Sequence, residues 1–238
     1  MPALVSIAGQ PDVLAFDAAR LRLEPDMPPT APMTLSLAPR SLAIVDAVDP
    51  VRAACFADLA VGLAAPEDGQ VRFLGRDWAA LDPDTANAMR GRIGRLVGDG
   101  AWIDYLSVLD NILLPQLHHT TRREEPIKND AARLARLFGL PGIPLAHPSS
   151  LDEDDLHRAA LVRAFLGRPQ LVVLERATQR LYPEIMEPLI NAIRYARDRG
   201  AAVLWLSLDQ RIWGDPSLPA TARLRLIGGR LVEGYRAA

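Results

Sequence analysis

The stretch AIVDAVDPVRAACFADLAVG, residues 43–62, runs from an apolar segment straight into a helix-forming one. That is the strand-to-helix turn at which many proteins hold a phosphate on backbone N–H groups. Here the turn contains Asp46 and Asp49 and no glycine. Asp49 followed by Pro50 is a helix start in its own right: Asp is a preferred N-cap and Pro is preorganised for the first helical position, so a carboxylate can take the role that phosphate plays elsewhere. LDEDD (151–155) gathers Asp152, Glu153, Asp154 and Asp155 at the head of a second helix, where acids complement the helix dipole and Ser150 with Glu153 has capping-box spacing. The apolar run LVVLE (171–175) ends on Glu175, a carboxylate at the end of a buried strand. Arg176 follows it, stays protonated at any physiological pH and cannot act as a base.

Other side chains read more plainly. Trp102, Ile103, Tyr105 and Leu106 bring large apolar groups together in AWIDYLSVL (101–109); they pack inside the fold or, where part-exposed, make a binding surface. His118 and His119 have no spaced carboxylate partner and read as a surface loop, and His157 reads as exposed. Cys55 shares a helix face with Val51 and Leu59, which reads as packing.

The elements that must position these groups follow from periodicity. VLAFDAARLRLEP (13–25) alternates like a half-exposed strand, TLSLAPRSLAIV (34–45) gives two more, and GQVRFLGRDW (69–78) gives a strand and turn. LDPDTANAMRGRIGRLV runs through a helix into a short strand ending near Val97, and TTRREEPIKND (120–130) reads as a solvated polar loop. DAARLARLFG (130–139) places Ala132, Leu134, Leu137 and Phe138 on one helical face, with Gly139 as the stop. A helix (153–167), the strand 171–175, a helix (182–200) and the strand 201–208 follow in βαβ order, which calls for a buried parallel sheet. ARLRLIGGRLVEGY closes as a hairpin turning at Gly228-Gly229.

At 238 residues and 49% hydrophobic content the chain can bury the core of one substantial domain or two small lobes. A formal net charge of −2 weighs against nucleic acid as the main partner, so none is expected. A single cysteine excludes an internal disulfide framework and a paired-cysteine zinc site. No apolar stretch approaches the ~18 residues of a spanning helix, and the start lacks a basic segment followed by an apolar run. A cytoplasmic setting is therefore expected, without membrane insertion but with docking on a membrane protein left open.

In order along residues 12–236, several blocks resemble the nucleotide-binding subunit of ABC transporters. GLAAPEDGQVRFLGRDW is similar to the family's strand after the first helix, and MRGRIGRLV with LSVLDNILLP (106–115) to its next strand and the segment beyond. HRAALVRAFLGRPQLVVLERAT (157–178) is similar to the signature helix and the following strand, and VLWLSLDQ (203–210) to the switch strand. Within that family the chain resembles the ATPase subunits of lipid-transporting Mce-type and lipoprotein-releasing systems. The resemblance implies an α/β, P-loop NTPase-like fold: a RecA-like core with a mostly parallel sheet and an antiparallel β lobe (12–97 plus 158–236), and a helical lobe (98–157). It also implies ATP sandwiched between paired subunits.

At the positions where the family does its chemistry, this chain differs. The phosphate loop, GxxxxGK[ST] in the family, aligns with residues 46–53, where Asp46 and Val51 replace the glycines, Arg52 the lysine and Ala53 the Mg²⁺-binding hydroxyl. The small signature turn becomes Asp152, Glu153, Asp154 and Asp155; the magnesium Asp and the water-polarising Glu become Glu175 and Arg176. Gly98 stands for the glutamine and Leu208 for the switch histidine, and no aromatic between Phe16 and Phe56 offers an adenine stack. Losing these groups together removes the positioning and charge stabilisation on which phosphoryl transfer depends.

The expected function is thus a pseudo-ATPase: a cassette-like subunit with a degenerate Walker A loop, not an enzyme, with no working cofactor, neither ATP nor Mg²⁺. It is expected to act as a structural or regulatory partner of an integral membrane permease or of an active ATPase paralogue, at the inner face of the membrane. Trp102, Ile103, Tyr105 and Leu106 are the candidate partner contacts, since the resembled segment lies beside the permease groove. Carboxylates facing each ATP disfavour an ATP-driven homodimer, and Arg176 with Arg52 is expected to pair with Asp46 or Asp49. Rival readings keep ATP in play: an ATPase using Arg52 for phosphate and Glu175 for Mg²⁺, or a nucleotide sensor without turnover. A soluble α/β domain with an unrelated ligand is the plainest alternative.

Overall fold

The computed structural model describes residues 11–22, 29–98, 100–227 and 229–235. β1 (Leu14–Arg20) alternates in burial as its sequence alternates in polarity, and β2 (Met33–Leu37) runs antiparallel to it. β3 (Leu42–Asp46) is buried at every residue and leads through a tight turn into α1 (Pro50–Ala60). β4 (Asp68–Phe73) and β5 (Arg76–Asp77) complete an antiparallel sheet of order β2-β1-β4-β5. α2 (Pro83–Arg90), capped by Asp82, precedes β6 (Ile93–Leu96). Three helices follow: α3 (Val108–His119), α4 (Glu124–Leu137) and α5 (Glu153–Phe165). Then come β7 (Leu171–Glu175), α6 (Met186–Asp198), β8 (Ala202–Ser207), the short α7 (Gln210–Gly214), β9 (Ala222–Ile227) and β10 (Arg230–Tyr235).

The second sheet has the order β10-β9-β3-β8-β7-β6, parallel except for the terminal hairpin. Successive side chains of a strand point to opposite faces, and β3 divides its core accordingly. Leu42 and Ile44 face the cluster built with α3, α4, α5 and α6, while Ala43 and Val45 face α1 and the antiparallel lobe. Phe16 stacks on Phe56 at 4.8 Å between ring centres, which fastens that lobe to α1. The register sets Asp46 beside Ser207 and Glu175 beside Leu206, so the carboxyl ends of β3, β7 and β8 converge on one edge. In open α/β sheets that edge is where ligands bind.

Three sequence expectations change. The polar stretch 120–130 is helical from Glu124: Ile127 is buried, Lys128 pairs with Glu124 one turn back, and Pro126 falls in the first turn, where its missing N–H costs nothing. The buried stripe of α4 is accordingly Ile127, Ala131 and Ala135, continued by Phe138, whereas Leu137 is exposed; Gly139 takes φ +86 as the stop. His118 and His119 form the last turn of α3 rather than a loop. Gly228 and residues 23–25 of the expected first strand lie outside the described residues, although β9 and β10 pair around the turn, Ile227 opposite Arg230.

Candidate functional site

β3 delivers the chain to the turn, and there the backbone donors are used up internally. Ala47 N–H donates to the Ser207 carbonyl (3.0 Å), Val48 N–H to Asp46 Oδ1 (3.3 Å), and Asp49 N–H to the Ala47 carbonyl (2.7 Å). The last bond closes a three-residue turn on Val48, whose φ of 65 is a costly conformation for a β-branched residue. Asp49 is the N-cap of α1, as its sequence predicts. Its Oδ1 accepts from Arg52 N–H (2.9 Å) and its Oδ2 pairs with Arg52 Nε (2.8 Å), while Ala53 N–H donates to the Asp49 carbonyl (3.1 Å). Pro50 has no N–H to offer. Ala53 is buried in the core, and Val48 and Val51 point outward.

The acids of this edge are held by the chain's own cations. Asp46, 4% exposed, accepts from Gln210 Nε2 (2.6 Å) and lies 3.4 Å from Arg225 Nε, which in turn stacks on Trp213. Glu175 accepts from Arg95 Nε (2.7 Å), and Arg95 Nη1 donates to Asp58 of α1 (2.7 Å). Burial pushes the Glu175 carboxyl up against the opposing pull of Arg95. Burial works against the Arg95 guanidinium too, but its two carboxylate partners outweigh it and hold its pKa above the ordinary value. Arg176, at φ 54, has its guanidinium over Gly98, where any Cβ would collide with it. Thus Arg52 meets the expected pairing with Asp49, while Asp46 is engaged by Gln210 and Arg225 and Arg176 is placed against Gly98. Leu208 packs against the core on the α1 side.

At the head of α5, Asp152 is the cap, its Oδ1 accepting from Asp155 N–H (2.8 Å), which corrects the expected Ser150 capping box. Glu153 and Asp154 both pair with Arg180, the latter at 3.5 Å. His157 is not exposed: it is half-buried with Nε2 2.8 Å from the Ala177 carbonyl, so Nε2 carries the proton, and burial lowers its pKa. A cavity of about 280 Å³ opens between this helix and the β7 end, bordered by Gly98, Trp102, His157, Arg176 and Arg180. Trp102 lies under Arg163, 4.8 Å from the ring centre, and packs toward the core. Arg163 donates to the carbonyls of Gly100 and Ala101, and burial pushes its guanidinium down to about 10, still charged at neutral pH. Ile103 N–H and carbonyl are taken by the Asn111 side chain, and Tyr105 is 80% exposed. Trp102 is thus turned toward the core while Tyr105 is exposed.

Sequence reasoning missed Arg95, Asp58, Gln210, Arg225 and Arg180. Arg95 had a signal, a charge at the third position of the strand pattern IGRL, but only register shows that it lies opposite Val173 and so shares a face with Glu175.

A bound triphosphate with Mg²⁺ requires free N–H groups, a hydroxyl and an available carboxylate. With the N–H groups of 47, 48, 49, 52 and 53 engaged, Asp46 and Asp49 at the turn and Glu175 on Arg95, residues 46–53 as folded do not fit that group. Among the described residues no group of three or more His, Cys, Asp or Glu side chains is arranged for a metal ion.

No family model matches the chain. The chain is 28% identical over 152 residues to the methionine import ATP-binding protein MetN of Rhizobium etli, covering 63% of this chain and 42% of that protein. It is 29% identical over 133 residues to the intermembrane phospholipid transport ATP-binding protein MlaF of Haemophilus influenzae, covering 56% and 50%. Against the nickel import ATP-binding protein NikE of Pseudomonas putida the identity is 32% over 187 residues, covering 74% and 65%. The matched region spans less than two thirds of each of these relatives. The dimeric ATP-binding cassette MJ0796, solved also in a post-hydrolysis state with ADP and Pi, shares the fold at TM-score 0.82, with 15–16% identity over 94% of this chain and 98% of that one.

Three expectations are corrected by these findings. Relatives named as ATP-binding subunits, and a cassette of the same fold seen after hydrolysis, contradict both the exclusion of enzyme activity and the exclusion of ATP and Mg²⁺ as cofactors. The case against a homodimer fails as well: the solved cassettes of this fold are dimeric, and three of the four acids thought to repel a second subunit are a cap, Asp152, and two partners of Arg180, Glu153 and Asp154. No helix among the described residues is long and apolar enough to cross a membrane. In element order and fold the chain is an ATP-binding-cassette-like α/β domain, and in sequence it is similar to ATP-binding proteins of transport systems.

Proposed function

We propose that this chain is the cassette subunit of a membrane transporter, seated on an integral membrane permease and paired with a second cassette, a further copy or an active paralogue. Its part in that pair is structural or regulatory. The observation that carries the reading is the closed turn at 46–53, in which Asp49 holds the start of α1 and Arg52 together. A triphosphate entering here must first displace Asp49 and unfold the turn on Val48, so nucleotide occupancy becomes a report on the state of the loop. The proposed division is a core and β lobe of 12–97 plus 158–236 and a helical lobe of 98–157. Tyr105, with the neighbouring Ile103 and Leu106, is the proposed contact with the permease.

The test has two arms. The tagged chain is isolated from membranes and its co-purifying proteins are identified; a permease is expected, and its absence in repeated isolations refutes the docking. The purified chain is titrated with Mg-ATP alone and then with its co-purified partners. Affinity is expected to rise in the assembly, where the loop can be opened by contact. Tight binding by the isolated chain, equal to that of the assembly, refutes a loop-controlled role.

A further inference from the structure

One guanidinium ties three elements together at the end of β7. Arg95 of β6 holds Glu175 on one nitrogen and Asp58 of α1 on another, both at 2.7 Å. The Glu175 side chain is 4% exposed and that of Arg95 15%, while Asp58 at 40% forms the solvent side of the corner. Two carboxylates converging on one positive charge, from a strand end and from the helix after the turn, satisfy the coordination logic of a hard dication, which is commonly held by one or two carboxylates and water. Here the positive charge is covalent. The planar fork of arginine suits the place, because it binds separate oxygens in fixed directions and is less costly to dehydrate than an ammonium.

We propose that Arg95 is a built-in counter-cation: by taking Glu175 and Asp58 together it keeps the corner between β7 and α1 closed to a divalent metal and fixes the position of α1 without one. Arg95 is in this sense a positioning residue. Glu175 becomes available to a metal only when Arg95 leaves. The inference rests on the ion triad alone and does not depend on the transport assignment, so the two fail separately.

The experiment uses the full chain and Mn²⁺, followed by the electron-spin resonance of the free ion. Arg95→Met is expected to bind Mn²⁺ more tightly than wild type by about tenfold or more, and the gain should vanish in the double variant Arg95→Met/Glu175→Gln. Arg95→Lys, which keeps the charge, should stay close to wild type. A folded Arg95→Met with unchanged Mn²⁺ affinity overturns the proposal. Should Arg95→Met fail to fold, wild type decides: its melting temperature is expected to be the same in MgCl₂ as in NaCl of equal ionic strength. A Mg²⁺-induced rise that Glu175→Gln abolishes overturns it as well.

Discussion

Asp49→Ala sets two effects of one carboxylate against each other. In the folded chain Asp49 caps α1 through Arg52 N–H and pairs with the Arg52 guanidinium, the two side chains being 39% and 30% exposed. Losing an N-cap costs about 0.5–2 kcal/mol. An ion pair so exposed adds no more than about 0.5 kcal/mol. The loss of about 0.5–2.5 kcal/mol should lower the melting temperature by roughly 1–10 °C for a chain of this size. The same change has the opposite effect on an anion at the turn. A carboxylate about 4 Å from a phosphate charge repels it by roughly 4 kcal/mol at an effective dielectric near 20, less with water and salt between them, and its removal also frees Arg52. Pyrophosphate affinity, measured calorimetrically at low salt, should therefore rise by about tenfold or more while stability falls, and the gain should shrink as salt is added. Asp49→Asn separates the two effects, since asparagine caps nearly as well but carries no charge: stability should hold and affinity should still rise. If both variants bind pyrophosphate as wild type does, the carboxylate is not what keeps anions out, and the account of the closed turn fails.

Gly94 lies where β6 meets α5, and a Cβ there would run into the Ala164 carbonyl, so Gly94→Ala should lose at least about 3 kcal/mol by urea denaturation; a loss under about 1 kcal/mol would show that the helix yields easily. His157 is held neutral by burial, so its folded pKa lies below the unfolded value of about 6.5. Its effect on stability is absent above that value and becomes a loss as pH falls through it, at most about 1.4 kcal/mol per pH unit, because the unfolded chain takes up the proton first. Arg158 and Arg180 nearby add to the depression and Asp154 opposes it. His157→Gln, which can still donate to Ala177, should narrow the difference in melting temperature between pH 7 and pH 5.5, and an unchanged difference would exclude His157 as the cause. Replacing the exposed Tyr105 with Asp should leave the melting temperature within about 1 °C, as surface changes usually do, yet reduce recovery of the co-purified permease; undiminished recovery moves the contact elsewhere.

Much of the scaffold was determined by sequence alone. The apolar runs 42–46, 171–175 and 202–207 have no polar face to turn to water, so they had to be central strands of a covered parallel sheet. Asp49-Pro50 and Asp82-Pro83 had to start helices, because the cap and the fixed φ of proline act within one turn and need no distant partner. The helix at 124–137 was harder to see, since its buried stripe is made largely of alanine and its first turn is two glutamates and a proline. What tertiary structure decided is which charge meets which. Arg95 and Glu175 are 80 residues apart, Gln210 and Asp46 164, and nothing in local spacing couples them. The parallel register of β6 on β7 and the return of α7 beside β3 bring them within 2.7 Å, in surroundings too dry for either acid to be left alone. Composition placed acids at this edge; only the fold, by burying Asp46 and Glu175, determined that each of these two would be held by a cation or amide from another element.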